Sequence, residues 1–245
     1  VKDSMDKCLA CKACTNQCPV KVDVPTFRAR FYEHYYSRYF RPLKDYLVKN
    51  VEKTGRLASR FPTASNMLIN NPASRWALKH IVGYVDTPSF STPDLLSGWG
   101  QSGFDILDTR EILQLSEREK SRAVVIVQDP FTSFYEAEFV LALGYLVSKL
   151  GYKPILLPFT GHGKAQHVKG FLSDFDVTAR QVTEQLQPLS DADIRLVGPD
   201  SSTALIFRDE YRKACNGELP PVNVSTVIEW LMSVDFETQD QKRSS

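Results

Sequence analysis

No stretch of this 245-residue chain approaches the roughly 20 consecutive apolar residues that a membrane-spanning helix needs, and no signal-peptide pattern is visible. No phosphate loop is present. Thr160-Gly161-His162-Gly163-Lys164 has the flavour of one, but the pattern G-x4-G-K-[ST] fails at Pro158 and Ala165. No Ser/His/Asp set and no paired carboxylates stand out. Cysteine is scarce, at five residues, yet four of the five fall between positions 8 and 18. Net charge is only +1, but it is unevenly spread. Residues 1–60 carry 13 Lys and Arg against 6 Asp and Glu, so the remainder is acidic. What is present in quantity is ordinary globular material: 42% hydrophobic and 24% charged residues, enough for a sizeable core in one large domain or two small ones.

The cysteine stretch reads Cys8-Leu9-Ala10-Cys11-Lys12-Ala13-Cys14-Thr15-Asn16-Gln17-Cys18-Pro19, or C-x2-C-x2-C-x3-C-P. This is the spacing of bacterial ferredoxins. Two-residue gaps let three sulfurs of one tight turn converge on three irons of a [4Fe–4S] cubane. Pro19 fixes φ and carries Cys18 away from that turn, and in two-cluster ferredoxins the fourth cysteine serves the other cluster. Cys8, Cys11 and Cys14 are therefore expected to share a cluster. Cys18 is its candidate fourth ligand, with an upstream residue as the alternative. A zinc site would need a second C-x2-C pair or distant histidines, and four cysteines this close cannot all form disulfides without strain. Zinc, or a remnant that binds nothing, is the competing reading. Thiols of this kind fit a reducing compartment, so the expected location is the cytoplasm.

Along the chain, a short helix is expected around Met5 to Ala10. A second starts at Val22-Asp23-Val24-Pro25, with Asp23 as cap and Pro25 in the first turn, and runs to about Phe40. Its aromatic stripe, Phe27, Phe31, Tyr35 and Tyr39, is interleaved with Arg28, Arg30, Arg38 and Arg41. That combination is either a stacking surface for single-stranded nucleic acid or a face packed on the core. Periodicity of this kind favours the core, and no nucleic-acid partner is expected. Helices starting near Pro42, Arg56, Pro62 and Pro72 follow, and Ile81 to Asp108 is rich in Gly, Pro and Ser. Trp99 in that stretch is expected to anchor on one lobe. Strands are expected at Ala123–Val127, Pro154–Leu157, Ile194–Val197 and Val222–Val224. Helices are expected at about 110–119, 134–150, 164–175, 177–186, 201–215 and 225–234. The expected fold class is α/β: an N-terminal all-helical module at 1–82, a connector at 83–104, a small parallel-sheet domain at 105–236 and a tail at 237–245.

The first lobe resembles the α-helical ferredoxin modules of FAD-linked oxidoreductases. The second resembles half of the cysteine-rich CCG domain found in the iron–sulfur components of glycolate oxidase and anaerobic glycerol-3-phosphate dehydrogenase and in heterodisulfide reductase. The cysteine stretch, Val22 to Pro25, Gln128 to Ser133, Leu156 to Phe159, Lys164 to His167, Lys169 to Leu172 and Arg208 to Tyr211 together resemble the YdiJ-type proteins. These are large FAD-binding and [4Fe–4S] oxidoreductases similar to D-2-hydroxyglutarate dehydrogenases. The resemblance implies a piece of a longer polypeptide that passes electrons from FAD, bound before Val1, through the cluster of Cys8, Cys11, Cys14 and Cys18. It implies the FAD-binding domain and a downstream cysteine-rich domain as partners, and a homo-oligomer. A quinone or a peripheral membrane contact is a candidate for the acceptor side.

Two departures matter. The Cys-Cys-Gly that the CCG family places after its second strand is Phe159-Thr160-Gly161-His162-Gly163 here, and Ser201-Ser202 stand where another cysteine is expected. A structural, assembly or redox-sensing module is the rival function. His162 and His167 are weaker candidates for metal ligation or proton donation, Ser133 for a helix cap, and Cys215 for a buried structural thiol late in a helix.

Overall fold

The structure, a computed structural model, describes residues 1–20, 22–85 and 87–234. The expected tail at 237–245 and the last two residues of the α/β domain lie outside the described residues. The N-terminal lobe is helical: α1 (Lys2–Asp6), α2 (Ala13–Gln17), α3 (Val24–Tyr36), α4 (Leu43–Lys49), α5 (Val51–Ala58), α6 (Pro62–Asn70) and α7 (Pro72–Ala77), with a π-helical turn at Leu78–Val82. Asp23 caps α3 as expected, accepting the Thr26 N–H at 3.1 Å, with Pro25 in the first turn. Pro62 and Pro72 each open a helix, where a missing N–H has no cost. α3 stops at Tyr36, short of Phe40. There the Ser37 hydroxyl donates to the His34 carbonyl at 2.7 Å and competes with the helical ladder.

The aromatic stripe of α3 is not core. Phe27 is 55% exposed, Tyr39 60% and Phe40 fully exposed, with Phe31 and Tyr35 half-buried. The buried side of the helix is instead Pro25, Arg28, Ala29 and Tyr32. Arg28 is accommodated under the helix because its guanidinium meets two backbone carbonyls and an aromatic ring. It donates to the Met5 carbonyl at 2.9 Å and the Val168 carbonyl at 3.0 Å, and lies over the Tyr32 ring.

Within the expected connector a further helix, α8 (Leu95–Gln101), is capped by Asp94. Trp99 anchors it as expected. The indole is fully buried and donates to the Asp105 carbonyl at 2.9 Å, and its ring lies where a Cβ on Gly144 would stand.

The second lobe runs β1 (Asp105–Ile106), α9 (Thr109–Leu113), α10 (Glu117–Lys120), β2 (Ala123–Ile126), α11 (Pro130–Tyr135), α12 (Ala137–Lys149), β3 (Lys153–Leu156), α13 (Lys164–Val168), α14 (Leu172–Asp191), β4 (Arg195–Gly198), α15 (Ser201–Arg208), α16 (Glu210–Lys213), β5 (Val224–Thr226) and α17 (Val227–Met232). All five strands are parallel, in the order β1-β3-β2-β4-β5. β2 is central, with Val125 facing both Ile155 and Leu196 in register. Its alternate residues feed two core layers: Ala123 and Val125 pack with α14 on one face, Val124 and Ile126 with Trp99 and α12 on the other. The α/β class expected from sequence is what the chain adopts.

Several expected helices are divided. The 110–119 segment is two helices because Asp108 and Ser116 each form a capping box, with Glu111 and Glu119. The helix expected from Phe134 breaks at Glu136, and the one after β4 breaks at Asp209. Ser133 is not the cap of α11. Asp129 is, accepting the Phe131 and Thr132 N–H groups at 2.8 and 3.3 Å, so the Ser133 hydroxyl is buried without a partner. Among the described residues no helix is long and apolar enough to cross a membrane.

The lobes are joined along the segment 162–174. Arg41 donates to the carbonyls of Lys169 and Gly170, Lys169 pairs with buried Asp45 at 2.8 Å, and Lys49 pairs with Asp174 at 2.6 Å. Gly170 lies directly against the backbone of α3.

Candidate metal centre

The cysteine stretch is built by two short helices and a strained loop. The Cys8 N–H returns to the Met5 carbonyl at 3.2 Å, which ends α1. Ala10 and Lys12 then adopt left-handed φ of 55° and 60°. For residues with a Cβ this conformation costs about 1–2 kcal/mol each, and such strain collects at functional loops. The Ala10 N–H is directed back at Cys8 Sγ, 3.4 Å away. α2 carries Cys14 in its first turn, and the Cys18 N–H closes on the Cys14 carbonyl at 3.0 Å. Cys18 itself is extended (φ −81°, ψ 123°) and leads away into Pro19.

Cys11 and Cys14 are exposed, Cys8 and Cys18 half-buried. Four thiol donors in eleven residues suit soft-metal and iron–sulfur chemistry. Among the described residues no three His, Cys, Asp or Glu side chains converge closely enough to hold a single metal ion.

The loop is tied to the second lobe by charge. The Lys12 ammonium pairs with Asp209 and, at 2.8 Å, with Glu210. Lys213 pairs with Asp209 and with Asp23, the cap of α3. Burial alone would raise the Asp209 carboxyl, but the hydrogen bonds from Lys12 and Lys213 hold it below the ordinary range. The same balance, with Lys213 and Thr26 as donors, brings Asp23 down to about 2. For the more deeply buried Glu210, desolvation prevails over Lys12 and the carboxyl is raised. A lysine inside the cysteine motif thus meets two carboxylates nearly 200 residues away. Periodicity carries no trace of such a contact, and sequence reading missed it.

His162 and His167 are both buried, and neither belongs to a metal-binding group among the described residues. His162 lies between two buried carboxylates, with Nδ1 3.4 Å from Glu52 and Nε2 3.9 Å from Asp129. His167 packs edge-on against Phe175. Burial, then the nearby Lys12 charge, lowers its pKa to about 4 from the ordinary 6.5. The sign is that of a group kept neutral by folding. Its stabilisation is present above pH 6.5, because neither state then binds the proton. It is lost as pH falls toward 4, because only the unfolded chain takes one up. The loss is expected to be about 3 kcal/mol over that window. Urea unfolding at pH 7 and pH 4.5 measures it, and His167→Gln should flatten the difference; an unchanged slope in that variant would locate the proton elsewhere.

Cys215 departs from its expected place. It lies past the end of α16 in a 3₁₀ turn with φ 49°, half-buried, with Sγ 3.6 Å from the Asp176 carbonyl. Ser202 bonds to Asp200, the cap of α15, at the sheet edge where a family cysteine was expected.

Comparison with known proteins gives one consistent relationship. The chain is 43% identical, over 95% of its length, to a protein of Escherichia coli named D-2-hydroxyglutarate dehydrogenase, and covers 23% of that protein. Proteins of the same name match from Haemophilus influenzae (41% identity, 94% of this chain, 22% of theirs) and Pseudomonas putida (37%, 96% and 23%). The chain therefore spans a little under a quarter of the length of these relatives. No family model matches it, and no solved structure does.

Proposed function

We propose that this chain is the electron-transfer segment of an FAD-dependent D-2-hydroxyglutarate dehydrogenase, in which Cys8, Cys11, Cys14 and Cys18 hold a [4Fe–4S] cluster. The observation that carries the reading is the loop itself. A ferredoxin-type cysteine spacing is held with two non-glycine residues left-handed and a backbone N–H directed at a ligand sulfur. It occurs in a chain that matches, nearly end to end, a segment of proteins bearing that enzyme name. The donor set fits the group. Four thiolates satisfy the cluster's irons, and the Ala10 N–H is the kind of hydrogen bond that tunes a cluster's potential.

When bound, the cluster supplies one-electron transfer. This chain's residues hold it and orient it. The cysteines ligate, Ala10 donates to Cys8, and Lys12 fixes the loop on Asp209 and Glu210. Oxidation of the hydroxy acid, and the FAD that accepts its electrons, belong to the part of the polypeptide outside this chain. The rival reading, a cluster that only braces the fold, is favoured by that same Lys12 tether. It predicts a cluster that is not reduced on the timescale of turnover.

The test is iron and acid-labile sulfide content, with EPR after dithionite, on anaerobically prepared protein. About four irons per chain and a signal on reduction are expected. Cys8→Ser, Cys11→Ser, Cys14→Ser and Cys18→Ser should each lose most of the iron and the signal. A chain that binds zinc in place of iron, or whose cluster survives Cys14→Ser intact, would overturn the assignment.

A further inference from the structure

The helices α6 and α7 carry large apolar side chains, yet neither has a buried residue. Phe61, Met67, Leu68, Trp76 and Ile81 are each 61–80% exposed. Polar contacts hold α6 to the lobe. Asn66 exchanges hydrogen bonds with the Phe90 backbone at 2.9 and 2.7 Å, and the Ser65 hydroxyl donates to the Ala58 carbonyl at 2.8 Å. Helices of nine and six residues draw little stability from propensity and depend on packing an apolar face. Large apolar side chains left exposed along two successive helices mark an interaction surface.

The same stretch carries one sign of charge. Residues 53–85 include no Asp or Glu, while Lys53, Arg56, Arg60, Arg75 and Lys79 are all exposed. None of these five side chains makes an ion pair or a hydrogen bond among the described residues. Elsewhere lysines find partners: Lys12, Lys49, Lys153, Lys169 and Lys213 are each in an ion pair. The cations of 53–85 are thus free to meet charge from outside the chain.

We propose that this face is the docking surface for the rest of the longer polypeptide, and that an acidic patch with an apolar centre covers it. The proposal rests on the reading of this chain as one segment of a larger dehydrogenase, and not on its cluster. The matched segment is 22–23% of the relatives' length, so over three quarters of such a polypeptide lies outside it. A second copy is a poorer occupant, because a two-fold pairing of this face would set its cations against their own kind. A bilayer surface takes a continuous amphipathic helix, whereas this stretch is broken at Asn70-Asn71-Pro72 with both asparagines exposed. Aromatic residues, Met and Arg, with acidic residues scarce, are the composition of a protein–protein interface core. Trp76, beside Arg75, is its expected anchor.

The test is made on the complete polypeptide. Peroxide oxidation of Met67, read by peptide mass spectrometry, is compared with that of N-acetylmethionine in the same solution. Met67 is expected to oxidise at least tenfold more slowly than the free amino acid. With p-benzoylphenylalanine in place of Trp76, photocrosslinking is expected to join this face to a peptide rich in Asp and Glu outside residues 1–245. The reversal Arg75→Glu/Lys79→Glu breaks no ion pair within the chain, so the lobe should fold normally while Met67 oxidation rises at least fivefold. The neutral pair Arg75→Gln/Lys79→Gln should raise it less. Oxidation of Met67 at the rate of the free amino acid, or protection unmoved by the charge reversal, would overturn the proposal. So would a crosslink to residues 1–245 of this or a second copy, or protection that requires phosphatidylglycerol vesicles. Iron and sulfide content of the same sample is read separately: protein without iron but with Met67 protected fails the electron-transfer reading and keeps this one.

Discussion

Gly170→Ala is expected to destabilise the chain by about 3 kcal/mol, from two costs that add at one atom. Gly170 has φ of 67°, which for alanine costs about 1–2 kcal/mol. The new Cβ would also stand 2.6 Å from the Tyr32 Cβ, 2.7 Å from the Ala29 carbonyl oxygen and 2.8 Å from the Glu33 nitrogen. These atoms belong to α3 itself, so no side chain can swing aside. The helix must lift from the second lobe, straining the Arg28 bond to Val168 and the Arg41 bonds to Lys169 and Gly170. Overpacking of this kind adds about 1–3 kcal/mol. Gly151→Ala is the control. It has a similar φ of 79° but nothing within 4 Å of its Cβ, so only the backbone cost applies. Urea unfolding of both variants separates the contributions. Equal losses at the two sites would mean that α3 and the 162–174 segment are not in tight contact.

The second large effect is expected at Glu52. Its buried carboxylate reaches from α5 into the other lobe, accepts the Gly163 N–H at 3.1 and 3.2 Å, and lies 3.4 Å from His162 Nδ1. Gly161 has no side chain at the one place where a Cβ would come within 2.3 Å of Glu52 Oε2. Glu52→Ala removes the acceptor and leaves a buried N–H unpaired beside His162, at a cost of about 3 kcal/mol. Glu52→Gln keeps an acceptor for Gly163 but removes the charge, and should cost about half as much. Thermal or urea unfolding reads both. If neither variant moves the midpoint, the carboxylate is not what joins the lobes at this point.

Sequence patterns reached some parts of this molecule and not others, for identifiable reasons. The α3 start was legible because Asp23 and Pro25 act on their immediate neighbours. β2, β3 and β4 were legible because a strand buried on both faces is a short apolar run. β1 was not, since a two-residue strand has no period to detect. The α3 stripe misled because four aromatics at helical spacing look like a core face. The face that packs is instead led by Arg28, whose burial depends on carbonyls at Met5 and Val168 that no local pattern predicts. Ser133 misled in a related way: Asp129 and Ser133 both suit a cap, and only the backbone decides between them. The cysteine spacing was plain from the start. Its setting was not, because the groups that meet Lys12 come from the far end of the chain.

That setting has a consequence for how the protein is made. The cysteine stretch leaves the ribosome ahead of the second lobe, and Lys12 must wait for Asp209, 197 residues later. At about 5–20 residues per second the delay is about 10–40 s. Throughout that interval the four thiols rest on α1, α2 and a strained loop, without the tether to the second lobe. The left-handed turn at Ala10 and Lys12 must therefore persist, or form late, without its partners on the second lobe. A cell that slows translation across 160–210 lengthens the period in which the strained loop stands without Asp209 and Glu210 to hold Lys12.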